Sequence, residues 1–253
     1  MYDNDGPHTT YWDIQIARVK YSAGSYKKHT ELSRLSNLDS AGWNIPRNGV
    51  PGHGCNYEDL ATMMRTEAAV SPDYQKLLIA TIDTVGTGYF TLYYLPMINS
   101  WLDGPAGTLV KLSDPEVTCL ASFVVEGFTT NSETNARGII DSVQGYDIDK
   151  AGNIFISSEL APKKGNPVQH YRYIYRIPWG VKDSSQWQMA DLSSLNMDVS
   201  NHISEFESVQ VADPDAGSSA TNNLYLTVSY HDKAKGSLTS NRHRIYTLEF
   251  RLD

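Results

Sequence analysis

The chain has 253 residues, of which 40% are hydrophobic and 20% are charged, a balance typical of a globular protein rather than a disordered one. The formal net charge of -8 and the lack of a dense Lys/Arg cluster argue against a nucleic-acid partner, because phosphate binding needs grouped cations. No apolar run approaches the roughly 20 residues that a membrane-spanning helix needs, so no membrane span is predicted. The length suits a single domain over residues 1–253.

The N-terminal part contains two candidate strands, at 12–21 and 30–38, which read as the third and fourth strands of a unit whose first two strands are missing. The last unit of the chain lacks a fourth strand. We therefore predict an incomplete N-terminal blade whose strands lie beside the C-terminal unit. The alternative is that an N-terminal piece is absent, which would leave an exposed sheet edge of the kind that proteins normally avoid.

Three later segments repeat one pattern, at 66–81, 143–158 and 206–228. Each has a short apolar strand entered by Glu or Gln, a turn rich in Asp, Pro, Gly or Asn, and a second strand of β-branched, aromatic and Leu residues, which predicts a β-hairpin. A third strand follows at 89–95, 173–179 and 244–250, and the first two copies add a fourth at 117–125 and 187–192.

Self-similarity at a long period, with several strands and no helix in each unit, predicts an all-β fold of the β-propeller type. We expect about four recognisable blade units in this chain. Helix is expected only at 57–64 and 97–102.

The first strands of the three repeats carry polar residues at matching positions, namely Glu67, Gln144 and Glu207. Glu67 and Gln144 each stand nine residues before Lys76 and Asn153 in the second strands, and Glu207 matches through its strand pattern. If these strands line the axis of a propeller, the three side chains converge on its channel. They would bind a cation, a sugar hydroxyl or water there, serve as paired carboxylates for acid/base chemistry, or accept hydrogen bonds from neighbouring blades.

Known catalytic and metal-binding motifs are absent, so we predict no catalytic residue, no metal and no cofactor. Asp147, Asp149 and Gly152 have the spacing that opens a calcium loop, but Ser158 stands where a bidentate Glu is needed, which favours a hairpin turn. Of the two cysteines, Cys119 reads as a small buried hydrophobe, and Cys55 lies in a glycine-rich loop.

Recognition of a surface is the favoured use of the long connectors, because loops on a rigid scaffold commonly carry binding residues. The candidates are 39–59, with Trp43 and His53 as ligand-binding residues, 129–137 and 162–171. Sixteen Tyr against six Phe is a bias towards aromatic side chains that suit a wet surface, although Tyr also simply favours strands.

A resemblance to a known family rests on segments that follow one another in order along 12–250. The segments at 12–19, 66–72, 143–149, 153–158, 176–180, 206–211 and 223–231 together resemble the helveticin J family of class III bacteriocins. The resemblance implies a secreted antibacterial protein of lactic acid bacteria that acts on related Gram-positive cells. It also favours a β-propeller with five blades in a longer relative, and it supplies no catalytic residues.

The function expected on these grounds is recognition of the target-cell surface, through a cell-wall glycan or a teichoic polymer, without turnover. The alternative is a cell-wall glycoside hydrolase with carboxylates in the propeller channel. The first residues lack the basic stretch and apolar core of a signal peptide, so secretion without a recognisable signal peptide in this chain is expected.

Overall fold

The structure is a computed structural model that describes residues 15–19, 30–41, 46–47, 50–51, 63–159, 171–195, 197, 199, 201–211, 221–232 and 240–251. Most of these residues lie in β-strands. The described residues also contain one α-helix, α1 (Leu95–Leu102), and short 3-10 helices at Leu38–Ser40 and Ser184–Gln186. The predicted all-β class is therefore confirmed. The chain divides into two compact units, Met1–Ala68 with Tyr74–Glu126, and Ala69–Asp73 with Gly127–Asp253.

The strands are numbered in chain order. They are β1 (Ile16–Ala17), β2 (Arg34–Ser36), β3 (Pro46–Arg47), β4 (Val50–Pro51), β5 (Met63–Val70), β6 (Lys76–Asp83), β7 (Gly88–Tyr94), β8 (Leu109–Lys111), β9 (Ala121–Val125), β10 (Val143–Ile148), β11 (Ile154–Glu159), β12 (Arg172–Ile177), β13 (Gln188–Asp191), β14 (His202–Val211), β15 (Thr221–Asp232) and β16 (Ser240–Arg251).

The first unit contains the four-stranded sheet β5-β6-β7-β9, whose strands follow one another across the sheet as the repeat pattern predicts. Seven of the eight residues of β6 are buried, which explains its nearly continuous apolar sequence. A core of Leu35, Ile79, Tyr93 and Ile98 packs under this sheet and α1, and Cys119 is buried in it as expected.

The helix predictions are partly correct. The segment expected at 97–102 is helical, and the helix begins at Leu95 because Pro96 is tolerated in a first turn, where its missing N–H is not needed. The helix expected at 57–64 is wrong at its end, since Met63 and Met64 begin β5. Its remaining residues, 57–62, lie outside the described part of the chain.

The N-terminal strands join a different partner from the one predicted. β1 pairs with β2, and β2 pairs in parallel with β8, so these three strands form a sheet of the first unit. For the strands that the structure describes, the expectation that they complete the C-terminal sheet is therefore wrong. The short segment β8 was not predicted, and it supplies the backbone partner that β2 needs.

The second unit contains two antiparallel sheets, the four-stranded β10-β11-β12-β13 and the three described strands β14-β15-β16. Both follow the predicted repeat. The turn between β10 and β11 uses Gly152 at φ +95°, and the Asp149 carboxylate accepts hydrogen bonds from the Asn153 backbone N–H at 2.8 Å and from its side-chain amide at 2.7 Å. This segment is the predicted hairpin turn rather than a calcium loop.

These two sheets meet along β10 and β14. A Cβ atom added to Gly145 would lie 2.9 Å from the carbonyl oxygen of Glu207 and 2.9 Å from Cα of Ser208, so only glycine allows this approach. Phe155, Val209, Leu224 and Phe250 pack in one core cluster of the unit. The close packing holds the first strands of the two sheets in a fixed relation.

Candidate functional site

The predicted site residues fall in different parts of the molecule. Trp43 and His53 lie outside the described residues. Glu67 lies on β5, where its carboxylate accepts a hydrogen bond from Nε of Arg65 at 3.0 Å. Gln144 and Glu207 lie in the second unit, on β10 and β14. The convergence of Glu67 with the other two stays a prediction.

Gln144 and Glu207 occupy the same structural position in their sheets. Pairing of β10 with β11 passes from Val143–Ser158 to Gly145–Ser157, so that Gln144 is the extra residue of a β-bulge. Pairing of β14 with β15 passes from Phe206–Val228 to Ser208–Thr227, so that Glu207 is the extra residue there. The matching of these two positions in the repeats thus has a backbone counterpart.

Glu207 belongs to a cluster with Glu205 and His231. One carboxylate oxygen of each glutamate and one ring nitrogen of the histidine all lie within 4.8 Å of one another, and the three side chains are half-buried. Oε2 of Glu205 lies 2.8 Å from Nε2 of His231. Glu207, the bulge residue of β14, lies beside Glu205 in this cluster.

Burial and neighbouring carboxylates act together on Glu205. Burial is the main cause that raises the pKa of this carboxyl, and the nearby Glu207 and Glu159 raise it further, while His231 opposes the change. Glu205 therefore holds a proton more readily than an exposed glutamate does.

A buried ion pair, Glu159 with Arg172, contacts the residues on either side of Glu205. Glu159 and Arg172 are almost completely buried, with Nε of Arg172 3.1 Å from Oε1 of Glu159. The other Glu159 oxygen accepts a hydrogen bond from the Phe206 N–H at 2.6 Å, and Arg172 donates to the Ser204 hydroxyl at 2.7 Å. Residues on both sides of Glu205 are therefore anchored to the adjacent sheet.

Gln144 links this anchor to the cluster. Its side-chain amide donates to the Glu159 carbonyl oxygen at 3.0 Å and lies 3.4 Å from Oε1 of Glu205.

Asp147 makes a second hydrogen bond between the two sheets, since its carboxylate accepts from the Val211 N–H at 2.6 Å. Burial, opposed by two backbone hydrogen bonds, raises the pKa of Asp147 to about 6.

An aromatic surface forms a second candidate site on the same unit, and we call it the tyrosine face. Tyr173 and Tyr175 alternate with inward-facing residues on β12, and their ring centroids are 5.9 Å apart. Tyr175 also meets Trp187 edge to face at 6.5 Å. Tyr171 continues the row and is 40% exposed.

The connector at 129–137 lies at the edge of the tyrosine face. Its two ends are held together by backbone hydrogen bonds from Ile139 to Gly127 and from Ile140 to Phe128, both at 2.9 Å. Arg137 pairs with Asp141 through two contacts of 2.6 Å, and its pKa is raised chiefly by this hydrogen bond and charge, with smaller contributions from Tyr171 and Tyr173. The predicted loop thus presents the Arg137–Asp141 ion pair beside the tyrosine face.

Several residues of these two sites were missed by the sequence analysis. Glu205, His231, Glu159 and Arg172 carry no motif, and the partners in each pair lie far apart in the sequence. One signal was present, since Glu205 and Glu207 stand two residues apart at the start of the third repeat, which is the spacing of side chains on one face of a strand. Tyr171, Tyr173 and Tyr175 are likewise spaced two residues apart, which is the spacing of side chains on one face of a strand.

Comparison with known proteins identifies the family. The family model described as bacteriocin helveticin-J matches residues 2–251. The chain belongs to this family. Bacteriocin helveticin-J of Lactobacillus helveticus is 35% identical over 247 residues, which cover 94% of this chain and 67% of that protein. No solved structure shows a significant match.

Membership confirms the predicted resemblance and places the chain among the helveticin-J bacteriocins, a family of antibacterial proteins. Within the described ranges, no helix is both long and apolar enough to cross a membrane.

Proposed function

We propose that this helveticin-J family member is a secreted antibacterial protein that binds a cell-wall glycan or teichoic polymer on related Gram-positive cells. The family supports the antibacterial role and implies export from the producing cell. The observation that carries the binding role is the tyrosine face with the adjacent Arg137–Asp141 pair.

The chemistry of this surface suits a wall polymer. Aromatic rings offer apolar faces on which the C–H groups of a sugar ring can pack, and tyrosine hydroxyls remain available for hydrogen bonds. Arg137 is 77% exposed on its side chain, so its guanidinium is accessible to a phosphate or carboxylate of an anionic polymer. The short hydrogen bonds of the loop reduce the ordering cost of binding.

Binding to sensitive cells tests this proposal. The double variant Tyr171→Ala, Tyr173→Ala is expected to lose at least about tenfold in affinity, because removing an interface aromatic commonly costs more than about 1 kcal/mol. Tyr225→Ala is the matched control, since Tyr225 is 42% exposed on β15. Unchanged binding by the double variant would remove the tyrosine face as the binding surface, and equal binding to cells stripped of teichoic acid would remove that polymer as receptor.

The propeller arrangement is part of the proposal. Two four-stranded sheets that follow the chain order, and a third repeat with three described strands, support it. In a propeller the first strands line the axis, so Glu67, Gln144 and Glu207 would face one channel. Glu67→Cys combined with Gln144→Cys, in a background with Ala at Cys55 and Cys119, is then expected to react with a short bis-maleimide within one molecule. Failure to cross-link, while Gln144→Cys with Glu207→Cys does so, would contradict the arrangement.

A second function, hydrolysis of a wall glycan, is favoured by one observation. Glu205 and Glu207 place two carboxyl groups close together, and the pKa of Glu205 is raised, which resembles the acid and partner of a glycosidase. Release of reducing sugars from isolated walls, abolished in Glu205→Gln and in Glu207→Gln, would establish it. Absence of release leaves the binding role.

A further inference from the structure

We propose that Glu205, Glu207 and His231 form a binding site for a divalent transition-metal ion. This proposal goes beyond recognition of a cell surface and does not depend on the tyrosine face. It rests on the placement of the three side chains, the chemistry of their donor atoms and the distribution of charge around them.

The three donors come from two neighbouring strands with a fixed register. Ile203 pairs with His231, and Glu205 pairs with Ser229, so Glu205 and His231 are diagonal neighbours on one face. Glu207, at the bulge of β14, is the third donor. Two ligands about 2.1 Å from an ion in tetrahedral geometry lie roughly 3.4 Å apart. Donor atoms already within 4.8 Å therefore need only small side-chain rotations to reach that geometry.

The donor set selects a class of ion. Two carboxylates and one imidazole suit Zn²⁺, Mn²⁺, Fe²⁺ or Co²⁺, whereas Ca²⁺ and Mg²⁺ prefer oxygen ligands alone. Three protein ligands leave at least one position for water or for an oxygen of another molecule. The site is thus an open one.

The charges around the cluster also favour a cation. The buried guanidinium of Arg172 binds Glu159 and Ser204 and not the carboxylates of the cluster. Among the residues that the structure describes, no Lys or Arg forms an ion pair with Glu205 or Glu207, and His231 is the partner of Glu205. Two half-buried carboxylates at this distance repel each other, and a divalent ion would convert this repulsion into attraction.

Gln144 would orient the Glu205 carboxylate without itself binding the ion. Its amide holds Oε1 of Glu205 at 3.4 Å while it is itself fixed to the Glu159 carbonyl oxygen. Such outer contacts restrict the rotation of a ligand and reduce the entropy lost when the ion binds. Binding would replace the contact between Glu205 and Nε2 of His231 with a bond from each side chain to the ion.

Calorimetric titration of the tag-free protein, freed of metal with EDTA, tests the site. ZnCl₂ and MnCl₂ are titrated separately, and CoCl₂ is followed by its visible absorption. We expect one ion per chain, with an affinity for Zn²⁺ at least about tenfold higher than for CaCl₂ or MgCl₂. Removing a residue that merely orients a ligand weakens metal binding about 10- to 100-fold, so Glu207→Gln and His231→Asn should each weaken it by about 100-fold or more.

His202→Asn and Glu249→Gln are the matched controls, because they change the same residue types on β14 and β16 outside the cluster, and they should bind as the parent chain does. The far-ultraviolet spectrum identifies variants that fold, and Glu205→Gln replaces either variant if it does not. No saturable binding, or equal affinity in the cluster variants and the controls, would overturn the proposal.

Discussion

Arg172 shows how much of this protein depends on a single buried side chain. Its guanidinium contacts Glu159, the Ser204 hydroxyl and the Ser204 carbonyl oxygen, and it stands 5.3 Å from the ring centroid of Phe206. Replacing it would leave the Glu159 carboxylate buried without its cation. Such a loss typically costs about 3–5 kcal/mol.

We therefore predict that Arg172→Met lowers the free energy of unfolding by about 3–5 kcal/mol in urea titrations. Glu159→Gln together with Arg172→Met should cost less than the sum of the single changes, because no charge is then left unpaired. Arg137→Met is the control, since its exposed ion pair should contribute less than about 1 kcal/mol. A loss for Arg172→Met no larger than the control would show that the buried pair does not hold the two sheets together.

Because the pKa of Asp147 is raised, the free energy of unfolding is expected to fall as the pH rises. Burial raises its pKa from 3.8 to about 6, so the folded protein binds this proton more tightly than the unfolded chain does. The contribution to stability is complete below about pH 4 and is lost as the pH rises through 6. A difference of this size corresponds to something of the order of 3 kcal/mol.

The variant Asp147→Asn removes the titration and keeps an oxygen that can accept the Val211 N–H. We expect its stability relative to the parent chain to rise between pH 4 and pH 8, by an amount of that order, in urea unfolding at each pH. A stability difference that stays constant over this range would show that the carboxylate does not titrate as described.

At the scale of elements, the meeting of β10 and β14 depends on the missing side chain of Gly145. Gly145→Ala places a methyl group 2.9 Å from the backbone of Glu207 and Ser208, which cannot move aside cheaply. We predict a loss of about 1–3 kcal/mol in the free energy of unfolding. Gly104→Ala is the matched control, because its new methyl group meets chiefly the rotatable Thr108 side chain. Equal stability of the two variants would contradict the close approach.

The repeat pattern predicted most strands because period-two alternation and turn residues are local signals. Gln144 and Glu207 were matched from the sequence, and both lie in bulges. The pairing of β2 with β8 was not predictable, since a three-residue parallel strand after a helix has no local signature. His231 was missed for a related reason: its proximity to Glu205 depends on the register of β14 and β15, which the sequence does not state.

At the scale of the whole molecule, the repeat pattern matched Gln144 with Glu207, which occupy equivalent bulges, whereas the convergence of Glu67 with them stays a prediction. The tyrosine row is readable from the spacing of Tyr171, Tyr173 and Tyr175, whereas its neighbour Arg137 reaches it through a folded loop. Glu159 and Arg172 each stand one residue outside the predicted strands that end at 158 and begin at 173, and the sequence gives no sign that they become buried together. Packing between sheets is a non-local property, and it determines which charged side chains become buried.

We propose that this bacteriocin-family protein binds its target surface without turnover. The most direct measurement is incubation of the purified protein with isolated walls of sensitive cells, in which bound protein is compared with soluble reducing sugars and free amines over time. We predict saturable, stoichiometric binding and no release of products. Sustained release that exceeds the amount of protein, and that is lost in Glu207→Gln, would contradict the account and identify a wall hydrolase.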